Sequence, residues 1–244
     1  MLYNETGRRR RSRWTLAAVG VLLSVVSLTA AADDKAKWEK ITTERGVTVW
    51  EKEVPGRDLP VFRGVTVIKE RMVDIMAVLD DPNGATEWVH NCTENRLLKR
   101  TNGLDRILYT LTDAPWPVAD RDVVVDARVK LNPKRKELTI AFKSVSGSKY
   151  NIGEVEDVVR MPKLKGHYKL RILDDKRTRV EYVVDADPGG SLPSWLVSKA
   201  SRDLPLETLV ELRKQVKKTK GRYDVFVKKW DPNQGGELPE AFKQ

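Results

Sequence analysis

Apolar and polar residues along most of this chain alternate with a period of two, and two stretches switch to the wider spacing of a helix. Residues 47–54 (VTVWEKEV) and 61–68 (VFRGVTVI) are rich in β-branched side chains and flank the turn Pro55-Gly56-Arg57-Asp58, which predicts a hairpin. At Met72 the period lengthens. Met72, Ile75, Met76 and Leu79 share one helix face, Asp81-Pro82-Asn83-Gly84 stops that helix, and residues 85–89 around Trp88 predict a second, shorter one. Strands are then expected at 94–99, 105–112, 122–131, 138–145, 155–161, 166–173 and 179–186, separated by turn residues such as Thr101-Asn102-Gly103, Asn132-Pro133-Lys134 and Asp174-Asp175-Lys176.

Three of these strands alternate cleanly. Val123, Val125, Ala127, Val129 and Leu131 oppose Asp122, Asp126, Arg128 and Lys130; Tyr168, Leu170 and Ile172 oppose His167, Lys169 and Arg171; Val180, Tyr182, Val184 and Ala186 oppose Arg179, Glu181 and Asp185. Strands of this kind bury one face and wet the other, as in an antiparallel sheet covered on one side. The cover is expected from residues 187–218. Asp187-Pro188-Gly189-Gly190 ends the last strand, Ser191 suits a helix cap, and Pro193 falls in the first turn. Leu192, Trp195, Leu196 and Ala200, then Leu206, Leu209, Val210 and Val216, recur at helical spacing, with Lys199 the polar exception. Arg213, Lys214, Lys217 and Lys218 suit the negative end of the helix dipole. Pro205 interrupts the stripe and predicts a kink, with Asp203 capping a second segment. The architecture is α+β: one amphipathic helix offered to one antiparallel sheet.

The ends of the chain read differently. Residues 1–32 begin with a basic run (GRRRRSR), continue as an apolar segment and close on Ala30-Ala31-Ala32, the pattern of a cleaved export signal. The same segment left uncut would be a membrane anchor. The domain proper is expected over 33–218, opening with a short helix in 33–46, and residues 219–244 form a C-terminal tail, of which 219–230 has no clear pattern and the part after about Tyr223 is polar. The chain carries a formal charge of +10, but residues 1–32 hold five of its 45 basic and one of its 35 acidic residues. The remaining excess is moderate, and no run interleaves basic with aromatic residues, so nucleic-acid binding is not expected. Attraction to an anionic membrane surface is the more economical use of it. A single cysteine, Cys92, excludes an intramolecular disulfide, and one cysteine with two histidines makes a transition-metal site improbable. His90-Asn91-Cys92 lacks a third orienting group, and no nucleophile elbow, Walker loop or dinucleotide fingerprint is present, so neither a catalytic site nor a cofactor is expected.

Two further stretches make the pattern specific. Ala114-Pro115-Trp116-Pro117-Val118-Ala119-Asp120-Arg121-Asp122 is a proline-aromatic loop running into an Arg-Asp pair at the start of a strand. Gly166-His167-Tyr168-Lys169-Leu170 opens another strand, followed by DPGG and LPSWLVSKA. With the order of elements, these resemble the START (StAR-related lipid-transfer) family over residues 36–218. The resemblance implies a helix-grip fold, in which a curved antiparallel sheet wraps the C-terminal helix around a tunnel for one lipid. It also implies a lipid ligand (phospholipid, fatty acyl or sterol-like) and entry by movement of residues 191–203 with the loop at Trp116. Some sterol-carrying members place an inward arginine where this chain has Ala127, so no particular lipid is implied. Arg121 and Asp122 are expected to be structural.

The tunnel-lining candidates are Trp88, Leu108, Trp116, Val123, Val125, Ala127, Phe142, Tyr168, Leu170, Tyr182, Trp195, Leu196 and Lys199. Large residues on inward faces equally suit a solid core. What favours a hollow is that a sheet gripping one helix encloses more volume than side chains readily fill. Two other readings stand beside a lipid carrier in the periplasm or outside the cell: a polyketide cyclase or aromatase of the wider helix-grip group, and a periplasmic partner of a membrane complex with a vestigial pocket.

Overall fold

The structure is a computed structural model that describes residues 37–57, 59–190 and 192–231. The expected leader, the Ser191 cap and the end of the expected tail lie outside these residues. Within them, ten strands form one sheet: β1 (Glu39–Glu44), β2 (Val47–Lys52), β3 (Val61–Ile68), β4 (Cys92–Asn102), β5 (Asp105–Thr112), β6 (Asp120–Asn132), β7 (Glu137–Ser144), β8 (Val158–Arg160), β9 (Lys163–Asp174) and β10 (Arg177–Asp187). The order is β1-β2-β3-β10-β9-β7-β6-β5-β4, antiparallel throughout, with β8 pairing in parallel with the start of β6. The helices are α1 (Met72–Asp80), α2 (Ser194–Lys218) and α3 (Asp224–Trp230), and a 3-10 turn, Asn83–Glu87, follows α1.

Two expectations fail at the ends of the domain. The short helix expected in 33–46 is strand β1 from Glu39 onward, joined to β2 by Arg45 and Gly46, both at positive φ (48° and 74°). A two-residue loop with both residues left-handed matches the twist of a hairpin, and Ile41-Thr42-Thr43 supplies the β-branched run. The tail expected from 219 is folded as far as Asp231: Val227 and Trp230 on α3 are buried, α3 packs on α1, and Arg71 donates to Asp231 at 2.7 Å.

Helix α2 begins after Pro193, which stands at its cap position, and is continuous through Pro205. Leu206, Leu209, Val210, Leu212 and Val216 are buried, and the helix packs on β1, β2, β3, β10 and α1. Its close approach needs Gly64 on β3. A Cβ there would lie 2.7 Å from Leu209 Cδ1, 3.1 Å from Pro205 Cβ and 3.3 Å from the Pro205 carbonyl oxygen. The side chains of Arg45 and Glu207 pair, and Arg202 donates to Glu44 at 2.8 and 2.9 Å, fastening the helix to the β1–β2 hairpin.

The outer face of the sheet is wetter but not bare. Ile107, Tyr109 and Val124 form a small second core there, with Val145, Tyr150 and Ile152 packed against it. Farther along, Glu181 accepts from Arg63 (2.8 and 3.1 Å) and Arg179 (3.2 Å), and His167 Nε2 lies 3.4 Å away. The His167 contact and then the guanidinium of Arg63 hold its carboxyl far below the ordinary carboxylate range. At the start of β6, Asp122 is buried and takes a two-pronged bond from Arg160 (2.6 and 2.9 Å), which anchors β8. Arg121 donates to the Ala119 carbonyl and to the Gly189 carbonyl (3.3 Å), tying the 113–119 loop to the turn before α2. Both roles are structural.

Two measurements check this packing. Gly64→Ala lowers stability by about 1–3 kcal/mol, read as a fall in Tm, because the Pro205 backbone cannot yield as a side-chain tip would. Glu181→Gln lowers Tm at neutral pH by an amount that shrinks in acid. A depressed folded-state value stabilises fully above the unfolded value of 4.5 and loses that contribution as the pH falls below it. A difference in Tm that stayed constant down to strong acid would contradict this account.

Candidate ligand-binding site

The register places the inner-face residues in rows across the sheet. One row runs Arg106 (β5), Ala127 (β6), Phe142 (β7), Gly166 (β9), Val184 (β10) and Phe62 (β3). Its small members make room for its large ones. A Cβ on Gly166 would sit 2.7 Å from Phe142 Cζ and 2.0 Å from the Val183 carbonyl oxygen, so only glycine lets the Phe142 ring lie across β9. The next row runs Val129, Ile140, Tyr168, Tyr182 and Gly64. Tyr168 and Tyr182 stack at 4.5 Å between centroids, and Trp88 meets Tyr168 edge-on at 6.4 Å. Burial pushes both phenols up, Tyr168 especially, so they stay neutral hydrogen-bonding groups.

Between this surface and the segment that follows α1 lies a cavity of about 110 Å³. Its floor is Leu108, Val125, Ala127, Ile140, Phe142 and Tyr168, with Asn95 and Arg106 at the β4–β5 side. Its roof is Leu79, Asp81, Pro82, Ala85, Trp88 and Val89. The roof is held from behind by the C-terminal part of the chain. Glu87 accepts from Lys218 (2.7 Å), Gln215 (3.2 Å) and Arg222 (3.4 Å), which keep its carboxyl at about 2, and Tyr223 donates to Asp81 at 2.8 Å.

Of the expected lining residues, the structure brings Trp88, Leu108, Val125, Ala127, Phe142 and Tyr168 to one cavity, Trp88 in its roof and the others in its floor. Val123, Leu170 and Tyr182 are buried but contribute no surface to the cavity. Trp116 is 90% exposed, Trp195 is 50% exposed, Lys199 is exposed and Leu196 half-buried; none of these lines the cavity. The reason is positional. The buried part of α2 lies on the β1-β2-β3-β10 half of the sheet, whereas the cavity lies over β4, β5, β6, β7 and β9. The terminal helix therefore acts on the hollow by bracing its roof and contributes no lining residue of its own.

Sequence reading missed Arg106, Asn95, Ile140 and the roof residues Leu79, Asp81, Pro82, Ala85 and Val89. Arg106 shares its parity on β5 with Leu108, so naming Leu108 inward implied it. Ile107 and Tyr109 on the opposite parity are equally apolar, and this hid the face. Cys92 is buried, its thiol donates to the Glu94 carbonyl at 3.4 Å, and burial pushes it up to about 11, which leaves a poor nucleophile. His90 is half-buried and lowered by that burial. Among the described residues no cluster could hold a metal ion, and no helix is long and apolar enough to cross a membrane.

Comparison with known proteins places this geometry. The START domain profile matches residues 24–222. An uncharacterised protein of Pseudomonas aeruginosa is 36% identical over 206 residues, covering 84% of this chain and 97% of that one. Bovine phosphatidylcholine transfer protein is 25% identical over 193 residues, 75% of this chain and 87% of its own. Among solved structures, a STAR-related lipid transfer protein of Xanthomonas axonopodis superposes with a TM-score of 0.66 at 30% identity, over 74% of this chain and 98% of that fragment. A helix laid on one half of an antiparallel sheet, a roofed hollow on the other half and a match over most of the chain agree with one another: this protein is a member of the START domain family.

Proposed function

We propose that this protein binds one amphiphilic lipid in the cavity between the β4–β9 floor and the roof at 79–89, and carries it without chemical change. The observation that carries the reading is a mainly apolar internal hollow whose aromatic wall is built by two rows of the sheet. Burying a lipid chain there contributes roughly 0.8 kcal/mol per CH₂. The names of the Xanthomonas and bovine relatives, both lipid transfer proteins, point the same way.

At about 110 Å³ the hollow is smaller than the ~150 Å³ cavity that admits benzene, and well below the ~300 Å³ at which drug-sized sites begin. Loading therefore requires the enclosure to open. The first turns of α2, with Trp195 and Lys199 exposed, follow Gly189 and Gly190 at positive φ, a backbone suited to a hinge. Swinging that end of α2 together with the Trp116 loop presents two tryptophans to a membrane, and the basic excess of the chain favours an anionic leaflet. Export through the segment at 1–32 would set this exchange in the periplasm or outside the cell.

Native mass spectrometry of protein purified from its own host, followed by lipid extraction, tests the reading. A stoichiometric intact lipid is expected. A cyclised polyketide would assign an enzyme instead, and a compact, empty protein would leave the pocket without a role. Ala127→Leu places a branched side chain on the cavity floor; it is expected to abolish lipid retention while leaving Tm within a few degrees of the parent. Unchanged retention would mean that the lipid sits elsewhere.

A further inference from the structure

Two of the residues that line the cavity carry a buried N–H donor with no acceptor among the described residues: Arg106, at Nε, and Trp88, at Nε1. One comes from the floor and the other from the roof. Arg106 is 4% exposed, and its other nitrogens are engaged. Nη1 donates to the Leu104 carbonyl at 2.9 Å and to Asp80 at 3.2 Å, and Nη2 to the Leu79 carbonyl at 2.5 Å. Those bonds hold the end of α1 and explain the presence of an arginine, but they leave Nε unused.

The nearby carboxylates are committed to other partners. Arg100 donates to both oxygens of Asp80, at 3.0 and 3.1 Å, so Asp80 neutralises Arg106 through one longer contact. Asp81, also on the wall, accepts from the Asn83 backbone N–H (3.0 Å) and from the Tyr223 hydroxyl (2.8 Å). A guanidinium and an indole nitrogen are donors only, and a buried donor left without an acceptor is costly. Their complement is an acceptor with negative charge. Across β6 the opposite residue is Ala127, whose small side chain leaves the approach to Arg106 open.

We propose that the cavity takes its ligand head first: the acidic head of a single-chain lipid, a carboxylate or phosphate, accepts from Arg106 Nε and Trp88 Nε1 while its chain lies against Val125, Phe142 and Tyr168. This rests on the lipid-binding reading above and names the head group that reading leaves open. At about 110 Å³ the hollow holds a head group and little else, and a single chain asks less further opening of it than two.

The test is fluorescence titration of the full chain with cis-parinaric acid and, separately, with its methyl ester, which has the same chain without the charge. The acid is expected to bind at least about tenfold more tightly, the effect of one charge-assisted hydrogen bond. Trp88→Phe keeps the ring and removes one donor, so it narrows that ratio with ester affinity little changed; Arg106→Met narrows it further. Should Arg106→Met fail to fold because α1 loses its anchor, Trp88→Phe still decides. Competition by lysophosphatidate against free fatty acid tells phosphate from carboxylate, and a monoacylglycerol is expected to compete poorly. Equal affinity of acid and ester for the parent protein, as when water alone meets the two donors, overturns the proposal and leaves lipid binding intact. A ratio unmoved by Trp88→Phe also overturns it. Failure of both probes to bind counts against the lipid reading itself.

Discussion

The close contact of α2 with β3 at Gly64 decides how the rest of the chain is arranged. With no side chain at that point, Pro205 and Leu209 come down onto the sheet, and the helix covers the β1-β2-β3-β10 half at packing distance. A ten-stranded sheet is too wide for one helix seated this low. The other half must be covered by something thinner, and the chain supplies the short segment from α1 through Trp88 and Val89. A thin roof over a floor that alternates large and small residues leaves a hollow beneath it. Tight packing on one side thus produces the cavity on the other.

The roof is where cohesion and function meet. Behind it stand ion pairs and hydrogen bonds from residues 215–223, several of them solvent-exposed and individually weak. At its other edge lies the end of α1, whose Leu79 carbonyl is bound by the buried Arg106. The same cation gives the hollow its chemical asymmetry, apolar across β6, β7 and β9 and donor-rich toward β5.

Much of the fold was legible from residue order alone. Strands β3 and β5 begin and end where alternation predicts, the hairpin of β2 and β3 forms at Pro55-Gly56, and the apolar stripe of α2 from Leu206 to Val216 is the buried one. The motif around Gly166 carried the family resemblance, and its physical reason is the Phe142 ring that crosses it. Strand β1 was misread because a polar run with a single isoleucine has no clear period, and its Arg45-Gly46 turn was the better signal. Parity along β6 and β9 placed Val125, Ala127 and Tyr168 on the cavity correctly, since residues that alternate along a strand share a face.

What the chain determined by itself is which residues share a face, because side-chain direction in a strand or helix is a local property of the backbone. Where each face lies relative to the helix was decided only by tertiary contact. Trp116, Trp195 and Lys199 suit a tunnel by type and stand outside it, because α2 settles on the half of the sheet where Gly64 admits it. Arg106 reads as an ordinary surface charge until register places it opposite Ala127 and α1 closes over it. Distances between elements remote in sequence depend on the volumes of the side chains between them, and no local pattern records those.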